Sequence, residues 1–348
     1  MIYDIAVVGG GPVGLAAAIE GRLAGLSVAI IEQRGGSIDK ACGEGLMPGA
    51  VPLLDRLGVS PEGHPLNGVT YLQGSRSVTH RFADGGGRGV RRTTLHNALT
   101  ARVDELGVAR VAGKVTAVDL LGSSSDGAIV HTQEGQAVQA RYVLACDGLH
   151  STVARLTGLV LPPPRRKRRY GVRQHYFVEP WSDNIEVYYA SRAEIYVTPV
   201  SDRVVGLSML GAKGTEYDDV LASVPELAQR VAGATAASER RGAGPFRQRR
   251  SARTAGPVLL VGDASGYVDA ITGEGLRLGF AQAREAVRCV VANDPGAYEQ
   301  AWKTTTRDFR VLTGGLVALA SSPLRSSIVP IAATLPRLFG VIVERLAR

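Results

Sequence analysis

A glycine-rich turn directly after an amino-terminal apolar run constrains the fold of this chain more than any other feature. The run Ile2 to Val8 predicts a buried strand, the Ala-rich stretch Leu15 to Leu26 predicts a helix, and Ser27 to Ile31 predicts a second strand. Between the first strand and the helix, three glycines stand in a GxGxxG spacing: Gly9, Gly11 and Gly14. In a βαβ unit such glycines permit a tight turn and a close approach of the backbone to a pyrophosphate at the helix N-terminus. The chain is therefore expected to bind a dinucleotide at this turn.

Glu32, which follows the second predicted strand, narrows the choice of dinucleotide. A carboxylate at this place accepts hydrogen bonds from ribose hydroxyls and repels a 2′-phosphate. The glycines and Glu32 together predict that the resident dinucleotide is FAD or NAD rather than NADP.

Composition indicates the class of protein around this unit. Of the 348 residues, 45% are hydrophobic and 5% are aromatic, which is typical of an α/β enzyme with a sizeable core. The three cysteines, Cys42, Cys146 and Cys289, are too widely spaced to suggest a disulfide framework or a CxxC metal site, so a reducing, cytoplasmic compartment is expected. The histidines have no metal-ligand spacing, and we assign no metal.

Positive charge is concentrated in two runs, Arg165 to Arg169 and Arg247 to Arg253, within a formal net charge of +8. The favoured interpretation is a solvated surface, and the alternatives are attraction of phosphates, of an acidic partner or of anionic lipid. Because the runs lack interleaved aromatic residues, no nucleic-acid partner is expected. Prolines and arginines interrupt the apolar tail Val311 to Val343, so no transmembrane helix is expected. The tail could line a lipid-sized cavity, make a peripheral membrane contact or pack on the core.

The middle of the chain predicts a second lobe. Alternating β-branched and aromatic residues predict an antiparallel sheet, whose strands are Tyr170 to Val178, Ile185 to Tyr189, Glu194 to Val200 and Val204 to Leu210. A linker is expected at Pro162 to Pro164 and the basic run after it, and a helix at Leu221 to Val231. The run Val258 to Gly262 resembles the first strand, so the cofactor lobe is expected to be discontinuous.

Four short motifs carry a resemblance to one superfamily of flavoproteins. Ala145 to Ser151 (ACDGLHS) resembles the DG motif of flavin monooxygenases similar to para-hydroxybenzoate hydroxylase, and Gly262 to Gly266 (GDASG) resembles their GD motif. Gly266 to Gly275 (GYVDAITGEG) and Cys42 to Pro48 (CGEGLMP) are more similar to the geranylgeranyl reductase branch. The resemblance spans about residues 1 to 290. The tryptophan signature of flavin halogenases is absent from Tyr196 to Pro199, so halogenation is not expected.

The resemblance implies an α/β fold in which a GxGxxG FAD-binding Rossmann-like domain is interleaved with an antiparallel β-sheet substrate domain and followed by C-terminal helices. The expected FAD-binding domain comprises residues 1–68, 90–160 and 250–300, the substrate domain residues 69–89 and 165–249, and the helical segment residues 301–348. Asp263 is expected to bind a ribityl hydroxyl, and the helix that begins near Gly273 to direct its amides at the flavin. The residues expected to bind FAD are Gly9, Gly11, Pro12, Val13, Gly14, Glu32, Gln33, Arg34, Cys42, Gly43, Arg92, Val115, Cys146, Asp147, Gly148, Gly262, Asp263, Gly273, Gly275 and Leu276.

Three residues are candidates for catalysis. Cys42 stands where reductase-branch enzymes place a cysteine facing the flavin, so its thiol could tune reactivity or relay a proton, and it could equally be a small buried residue. His175 and Tyr196 lie on the predicted sheet that would cover the flavin. They could orient or deprotonate a phenolic substrate, and more often such residues contribute only to packing.

The resemblance implies an FAD-dependent oxidoreductase with an apolar small-molecule substrate. The first interpretation is a monooxygenase that uses NAD(P)H and O2 to hydroxylate an aromatic or polyketide-type compound, with NAD(P)H binding only transiently. The first alternative is an ene reductase, similar to geranylgeranyl reductase, that acts on an isoprenoid double bond. The second alternative is a flavin electron-transfer protein without a substrate of its own.

Overall fold

The computed structural model describes residues 1–83, 85–122, 127–162 and 168–347. Residues 163–167 of the expected linker and basic run therefore lie outside the described residues. Within these ranges the chain forms two large sheets, with helices on the first sheet and at the carboxyl end.

The strands, in chain order, are β1 (Ile2–Val8), β2 (Val28–Glu32), β3 (Gly45–Leu46), β4 (His64–Leu66), β5 (Gly68–Gln73), β6 (Arg76–Arg81), β7 (Gly87–Gly89), β8 (Ala109–Ala112), β9 (Val115–Leu120), β10 (Ala128–Thr132), β11 (Ala137–Ala145), β12 (Val160–Leu161), β13 (Arg169–Phe177), β14 (Asn184–Tyr189), β15 (Ala193–Ser201), β16 (Val204–Ala212), β17 (Arg241–Ala243), β18 (Arg249–Arg250), β19 (Thr254–Ala255) and β20 (Val258–Leu260). The helices are α1 (Pro12–Leu23), α2 (Val51–Arg56), α3 (Arg92–Glu105), α4 (Thr152–Leu156), α5 (Tyr217–Ala222), α6 (Pro225–Arg230), α7 (Gly275–Val291), α8 (Tyr298–Ala320), α9 (Ile328–Thr334) and α10 (Pro336–Ala347).

The first sheet has the order β19-β20-β11-β1-β2-β8, and β10 and β9 extend it from β11. Strand β1 pairs in parallel with both β2 and β11. Its side chains alternate between the two faces of the sheet, as the strand period of two requires. Ile5 and Val7 pack under α1, α3 and α7, whereas Ala6 and Val8 face the opposite apolar cluster. The carboxyl ends of β1, β2 and β11 therefore meet at one edge, where the motifs lie.

The second sheet has the order β17-β13-β16-β15-β14-β5-β6. Its central strands β13 to β16 are antiparallel, as the sequence predicts, but β14 pairs with β5 in parallel. The predicted antiparallel arrangement of the four central strands is confirmed, and the parallel pairing lies beside them, with β5. Strand β5 precedes β14 by more than a hundred residues in the chain. No tight hairpin therefore joins the two strands, and a parallel pairing is possible.

Two expectations differ from the structure. The helix expected over Leu221 to Val231 is two short helices, α5 and α6, because Pro225 begins a new helix after Ser223 and Val224. The basic run Arg247 to Arg253 is not simply a solvated surface, since Arg250 is only 6% exposed.

The C-terminal helices pack against the second sheet through α9 and α10, which contact β6. His80 of β6 pairs with Glu344 of α10 at 2.8 Å, which joins the end of the chain to the sheet edge. No described helix is by itself long and apolar enough to span a membrane; only Pro295–Ala320 and Pro323–Thr334, taken as a pair bent by 102°, meet that criterion.

Candidate functional site

The glycine turn brings β1, α1 and the DG motif into direct contact. Gly9 has a φ of +104°, and a Cβ built on it would lie 2.6 Å from the carbonyl oxygen of Cys146. A Cβ on Gly14 would lie 1.8 Å from the carbonyl oxygen of Gly9. Larger side chains are therefore excluded at both positions, by the backbone conformation at Gly9 and by the close approach at Gly14.

The N-terminus of α1 opens into a cavity that is lined by Gly11, Pro12 and Val13. No described side chain caps this end of the helix, so its first amides are free to bind an anion. Arg92, at the start of α3, lines the same cavity, and its buried Nε has no hydrogen-bond partner among the described residues. One helical turn later, His96 Nε2 lies 3.0 Å from the carbonyl oxygen of Gly10. Burial lowers the pKa of His96, so it supports the turn as a neutral imidazole.

Glu32 closes the far side of the glycine turn. Its Oε2 accepts a hydrogen bond of 2.7 Å from the Gly10 amide, and its Oε1 accepts one of 2.9 Å from the Arg34 amide. Arg34 also donates from its side-chain Nε to Oε1 at 3.1 Å. The carboxylate is thereby fixed at the cavity wall, at the place where a ribose is expected.

The DG and GD motifs lie on the other side of the cavity. Asp147 Oδ2 accepts hydrogen bonds from the amides of Thr152 (2.6 Å) and Val153 (3.0 Å), and so caps α4, while its buried Oδ1 has no partner among the described residues. Asp263, which follows β20, lies 3.9 Å from the Lys40 ammonium. Both carboxylates line the cavity.

Helix α7 begins at the cavity, where Gly273, Gly275 and Leu276 form part of the wall. Glu274 stands just before the helix, is only 1% exposed and pairs with Arg277. Burial raises the pKa of Glu274 to about 7. The position therefore favours a neutral carboxyl group in spite of the neighbouring guanidinium.

The second sheet covers the cavity. The side chains that face inward here are mostly apolar and include Leu210, Phe246 and Tyr267. We call this part of the cavity the chamber. Its neutral polar groups are Cys42, Tyr196 and Ser208. Tyr196 donates its hydroxyl to the carbonyl oxygen of Ile271 at 2.5 Å, and Ser208 donates to the carbonyl oxygen of Cys42 at 3.0 Å.

A buried carboxylate, Glu44, holds the loop that carries Cys42. Glu44 Oε2 pairs with His175 Nε2, and Glu44 Oε1 accepts a hydrogen bond of 2.8 Å from the Arg92 amide at the start of α3. The other ring nitrogen of His175, Nδ1, lies 2.8 Å from the Ser238 hydroxyl. The Glu44 amide in turn lies 3.4 Å from the Cys42 sulfur. One carboxylate therefore links this loop, the second sheet and α3.

A second buried network lies behind Tyr196. Glu194 accepts a hydrogen bond of 2.5 Å from Arg169 and lies 2.7 Å from Arg325 Nη1. Asp269 lies 3.1 Å from Arg169 Nε, and burial raises its pKa to about 6. These charges are paired with one another behind the wall, and Arg173 of β13, which lines the cavity, is itself paired with Asp39.

The structure brings most of the expected site residues to one cavity. Its lining includes Gly9, Gly11, Pro12, Val13, Glu32, Arg34, Cys42, Gly43, Arg92, Cys146, Asp147, Gly148, Tyr196, Asp263, Gly273, Gly275 and Leu276. Gly14 and Gly262 lie next to this lining, within the packing of the turns.

Three expectations need correction. Gln33 is exposed and lies outside the cavity lining. The side chain of Val115 packs in the apolar core below the first sheet, because it begins β9 with its inward face buried. His175 is fully buried and bonded at both ring nitrogens, so it cannot deprotonate a substrate in the chamber. It is a positioning residue for the Cys42 loop.

The model of the family described as FAD binding domain matches residues 2–293. The chain belongs to this family. FAD also fits the polar groups of the cavity, because the end of α1, which no described side chain caps, and the residues Arg92 and Asp147 line the space where a dinucleotide would lie. The chain is therefore an FAD-dependent oxidoreductase of the flavin monooxygenase and geranylgeranyl reductase superfamily.

Relatives of this FAD-binding protein divide into two groups. The menaquinone reductase of Mycolicibacterium smegmatis is 26% identical over 340 residues, which cover 88% of this chain and 80% of the relative. The digeranylgeranylglycerophospholipid reductase of Methanococcus aeolicus is 23% identical over 328 residues, 86% of this chain and 82% of the relative. The 12-dehydrotetracycline 5-monooxygenase/anhydrotetracycline 6-monooxygenase of Streptomyces rimosus is 30% identical over 176 residues, 47% of this chain and 34% of the relative. The reductases align with more of this chain, whereas the monooxygenase has a higher percentage of identical residues over its shorter alignment.

A solved structure shows the same fold over the whole chain. A flavin-dependent brominase superposes with a TM-score of 0.83 at 19% identity, covering 100% of this chain and 94% of its own. This confirms the expected fold class of a Rossmann-like domain combined with a β-sheet domain and C-terminal helices.

Sequence reasoning missed Glu44 and His96. Glu44 is part of the CGEGLMP motif, but its partner His175 is 131 residues away in the chain, so no local pattern connects them. His96 had a usable signal, since it stands four residues after Arg92 and therefore lies on the same face of α3.

Proposed function

We propose that the chain is an NAD(P)H-dependent monooxygenase that hydroxylates a long, apolar, electron-rich aromatic compound. The observation that carries this proposal is the chamber, whose walls are mostly apolar, whose uncharged polar groups are Cys42, Tyr196 and Ser208, and where the charge of Arg173 on β13 is paired with Asp39. FAD held by the α1 turn, Arg92, Asp147 and Asp263 would accept reducing equivalents and activate oxygen. The protein's own part is to exclude water and to place the substrate.

The polar side chains of the chamber take little part in proton transfer. Burial raises the pKa of Tyr196 well above its usual value, and its proton is directed at a main-chain carbonyl oxygen. Tyr196 therefore stays protonated and does not act as a base. Ser208 likewise gives its proton to a carbonyl oxygen. Oxygen insertion into an already electron-rich ring needs a dry, shaped chamber more than it needs a strong acid there.

A second candidate, an ene reductase for an isoprenoid double bond, is favoured by two specific observations. Cys42 supplies a thiol at the chamber wall. Reduction of a double bond adds a hydride to one carbon and a proton to the other, so a proton donor is needed beside the substrate. The reductases also match this chain over a greater length than the monooxygenase does. In this function Cys42 would be the proton donor.

An isotope experiment separates the two candidates. The FAD-loaded protein is incubated with NADPH or NADH, with ¹⁸O2, and with long-chain phenols or prenyl lipids, and the products are analysed by mass spectrometry. The monooxygenase predicts one ¹⁸O atom in the product of a phenol and no product without oxygen. A product that carries two additional hydrogens, formed equally well without oxygen, would overturn the proposal in favour of the ene reductase. In that case Cys42→Ser should lower the rate by about 100-fold, the usual contribution of a general acid.

A further inference from the structure

A second cavity adjoins the cofactor cavity on the GD side. Its walls come from residues 247–253, from the turn after β20, and from helices α7 and α8. Asp263, Tyr267 and Gly275 line both cavities. A ligand bound in the second cavity would therefore share a wall with the FAD site.

Arginines dominate this second cavity, which we call the arginine pocket. They are Arg247, Arg249, Arg250, Arg253 and Arg310. Among the described residues, Asp263 supplies the single acidic side chain of its lining. Five guanidinium groups against one carboxylate in a concave site give a positive potential that attracts anions.

Two of these guanidinium groups are buried without full compensation. Arg250 is 6% exposed and donates to the carbonyl oxygens of Ala264 (2.8 Å), Arg249 (3.0 Å) and Leu149 (3.4 Å), and no carboxylate of a described residue lies within 4.0 Å of it. Arg253 has a buried Nε without a hydrogen-bond partner in the described chain, and its Nη1 forms an ion pair with Glu299 at 3.8 Å. Burial lowers the pKa of both groups. Positive charge that is largely buried and only partly balanced by carboxylates favours the binding of an anion.

Trp302 holds two of the arginines in place. The guanidinium of Arg253 lies 3.7 Å from the centre of the Trp302 ring, and that of Arg310 lies 4.9 Å from it. Trp302 Nε1 donates a hydrogen bond of 2.8 Å to Ser265, whose hydroxyl donates to the carbonyl oxygen of Gly262 at 2.7 Å. The arginines are therefore oriented in advance and are connected to the turn that carries Asp263.

We propose that the arginine pocket binds the phosphate or diphosphate group of a molecule that reacts at the flavin. Guanidinium groups match phosphate oxygens with paired, charge-assisted hydrogen bonds, and several of them converge here. Two sources carry this chemistry: a nicotinamide dinucleotide that reduces the flavin, and an isoprenoid diphosphate. The inference rests on the proposed function only in assuming that the ligand reacts at FAD.

The first experiment measures anion binding without turnover. Inorganic pyrophosphate is titrated into the FAD-loaded protein at low ionic strength and followed by calorimetry. Arg249→Gln and Arg310→Gln change exposed side chains, so both variants should keep their fold and their FAD. Each should weaken pyrophosphate binding about tenfold, as the loss of a charge-assisted contact predicts. Arg284→Gln, an exposed arginine of α7 outside the pocket, is the matched control and should change it less than about twofold.

The second experiment distinguishes the sources. If the ligand is the dinucleotide, both pocket variants should raise the NADPH concentration for half-maximal anaerobic flavin reduction about tenfold, and pyrophosphate should compete with NADPH. If the ligand is an isoprenoid diphosphate, pyrophosphate should displace geranylgeranyl diphosphate and leave the reduction unchanged. Either result supports the pocket.

The proposal is overturned if the wild-type protein shows no pyrophosphate binding at millimolar concentration, or if Arg284→Gln weakens binding as much as the pocket variants do. Because binding is measured without product formation, these outcomes are independent of whether the chain hydroxylates any substrate.

Discussion

The wall of the cofactor cavity beside α1 is made of main chain, whereas the wall beside β13 and β16 is made of side chains held by buried ion pairs. On the first wall, Gly9 and Gly14 allow strand, helix and turn to approach within contact distance. On the second wall, Glu44 and Glu194 fix the positions of residues from distant parts of the chain. The main-chain wall suits a constant cofactor, whereas the shape of the second wall depends on single side chains.

The largest effect is expected from Glu44→Ala, which removes the carboxylate that joins the Cys42 loop to His175 and α3. Removing one partner of a buried charged group leaves the other uncompensated, so the free energy of unfolding should fall by about 3–5 kcal/mol. Urea denaturation measures it. Glu62→Ala, at an exposed position, is the control and should change stability by less than about 0.5 kcal/mol. Equal effects of the two variants would show that the second wall does not depend on Glu44.

Gly14→Ala tests the main-chain wall. The added Cβ would meet the Gly9 carbonyl oxygen at 1.8 Å, so α1 must shift away from the turn. We expect a loss of about 3 kcal/mol, typical of a severe overpacking, together with a low FAD-to-protein ratio. Gly314→Ala is a matched change inside a helix, where the added Cβ meets nothing within 4 Å. That variant should retain full FAD content; a Gly14→Ala protein that also retained it would remove the reason for a glycine at this turn.

The buried Glu274 at the start of α7 should make the free energy of unfolding depend on pH. Because the folded protein keeps this proton up to about pH 7, above the ordinary value of 4.5, its stabilisation is complete at low pH and is lost as the pH rises through that interval. The contribution to the slope is at most about 1.4 kcal/mol per pH unit. Urea denaturation between pH 4.5 and 8 should show a flatter profile for Glu274→Gln than for the wild-type protein. Parallel profiles would contradict the raised pKa.

The smallest effect is expected from Tyr196→Phe, which removes one hydrogen bond to the Ile271 carbonyl oxygen and leaves both ion-pair networks in place. Thermal denaturation should show a loss of about 1 kcal/mol, and the FAD content should not change. Tyr3→Phe, in β1 away from the cavity lining, serves as the reference. A large loss of FAD in Tyr196→Phe would mean that the two walls are not independent.

The two walls also differ in how far the sequence predicts them. The first βαβ unit, Glu32 and the start of α7 follow from local patterns, because their residues are close in the chain and contact one another through backbone. The Glu44 to His175 pair and the parallel pairing of β5 with β14 join segments more than a hundred residues apart. Such pairings depend on the register of the second sheet, which one sequence does not determine. For the same reason the sequence predicts the strand on which His175 lies, but not that its side chain is buried behind the cavity wall.

The contacts of Trp302 with both Arg253 and Arg310 give the protein an intrinsic fluorescent probe. The chain has only two tryptophans, and the other, Trp181, lies beside Arg230 and Glu186 outside both cavities. In a Trp181→Phe protein, all indole emission would therefore come from the ring that contacts the two guanidinium groups and the Ser265 hydroxyl. The intensity and wavelength of this emission should respond to any ion that moves those groups. Occupancy of the arginine pocket can therefore be followed in real time by fluorescence, without label or substrate.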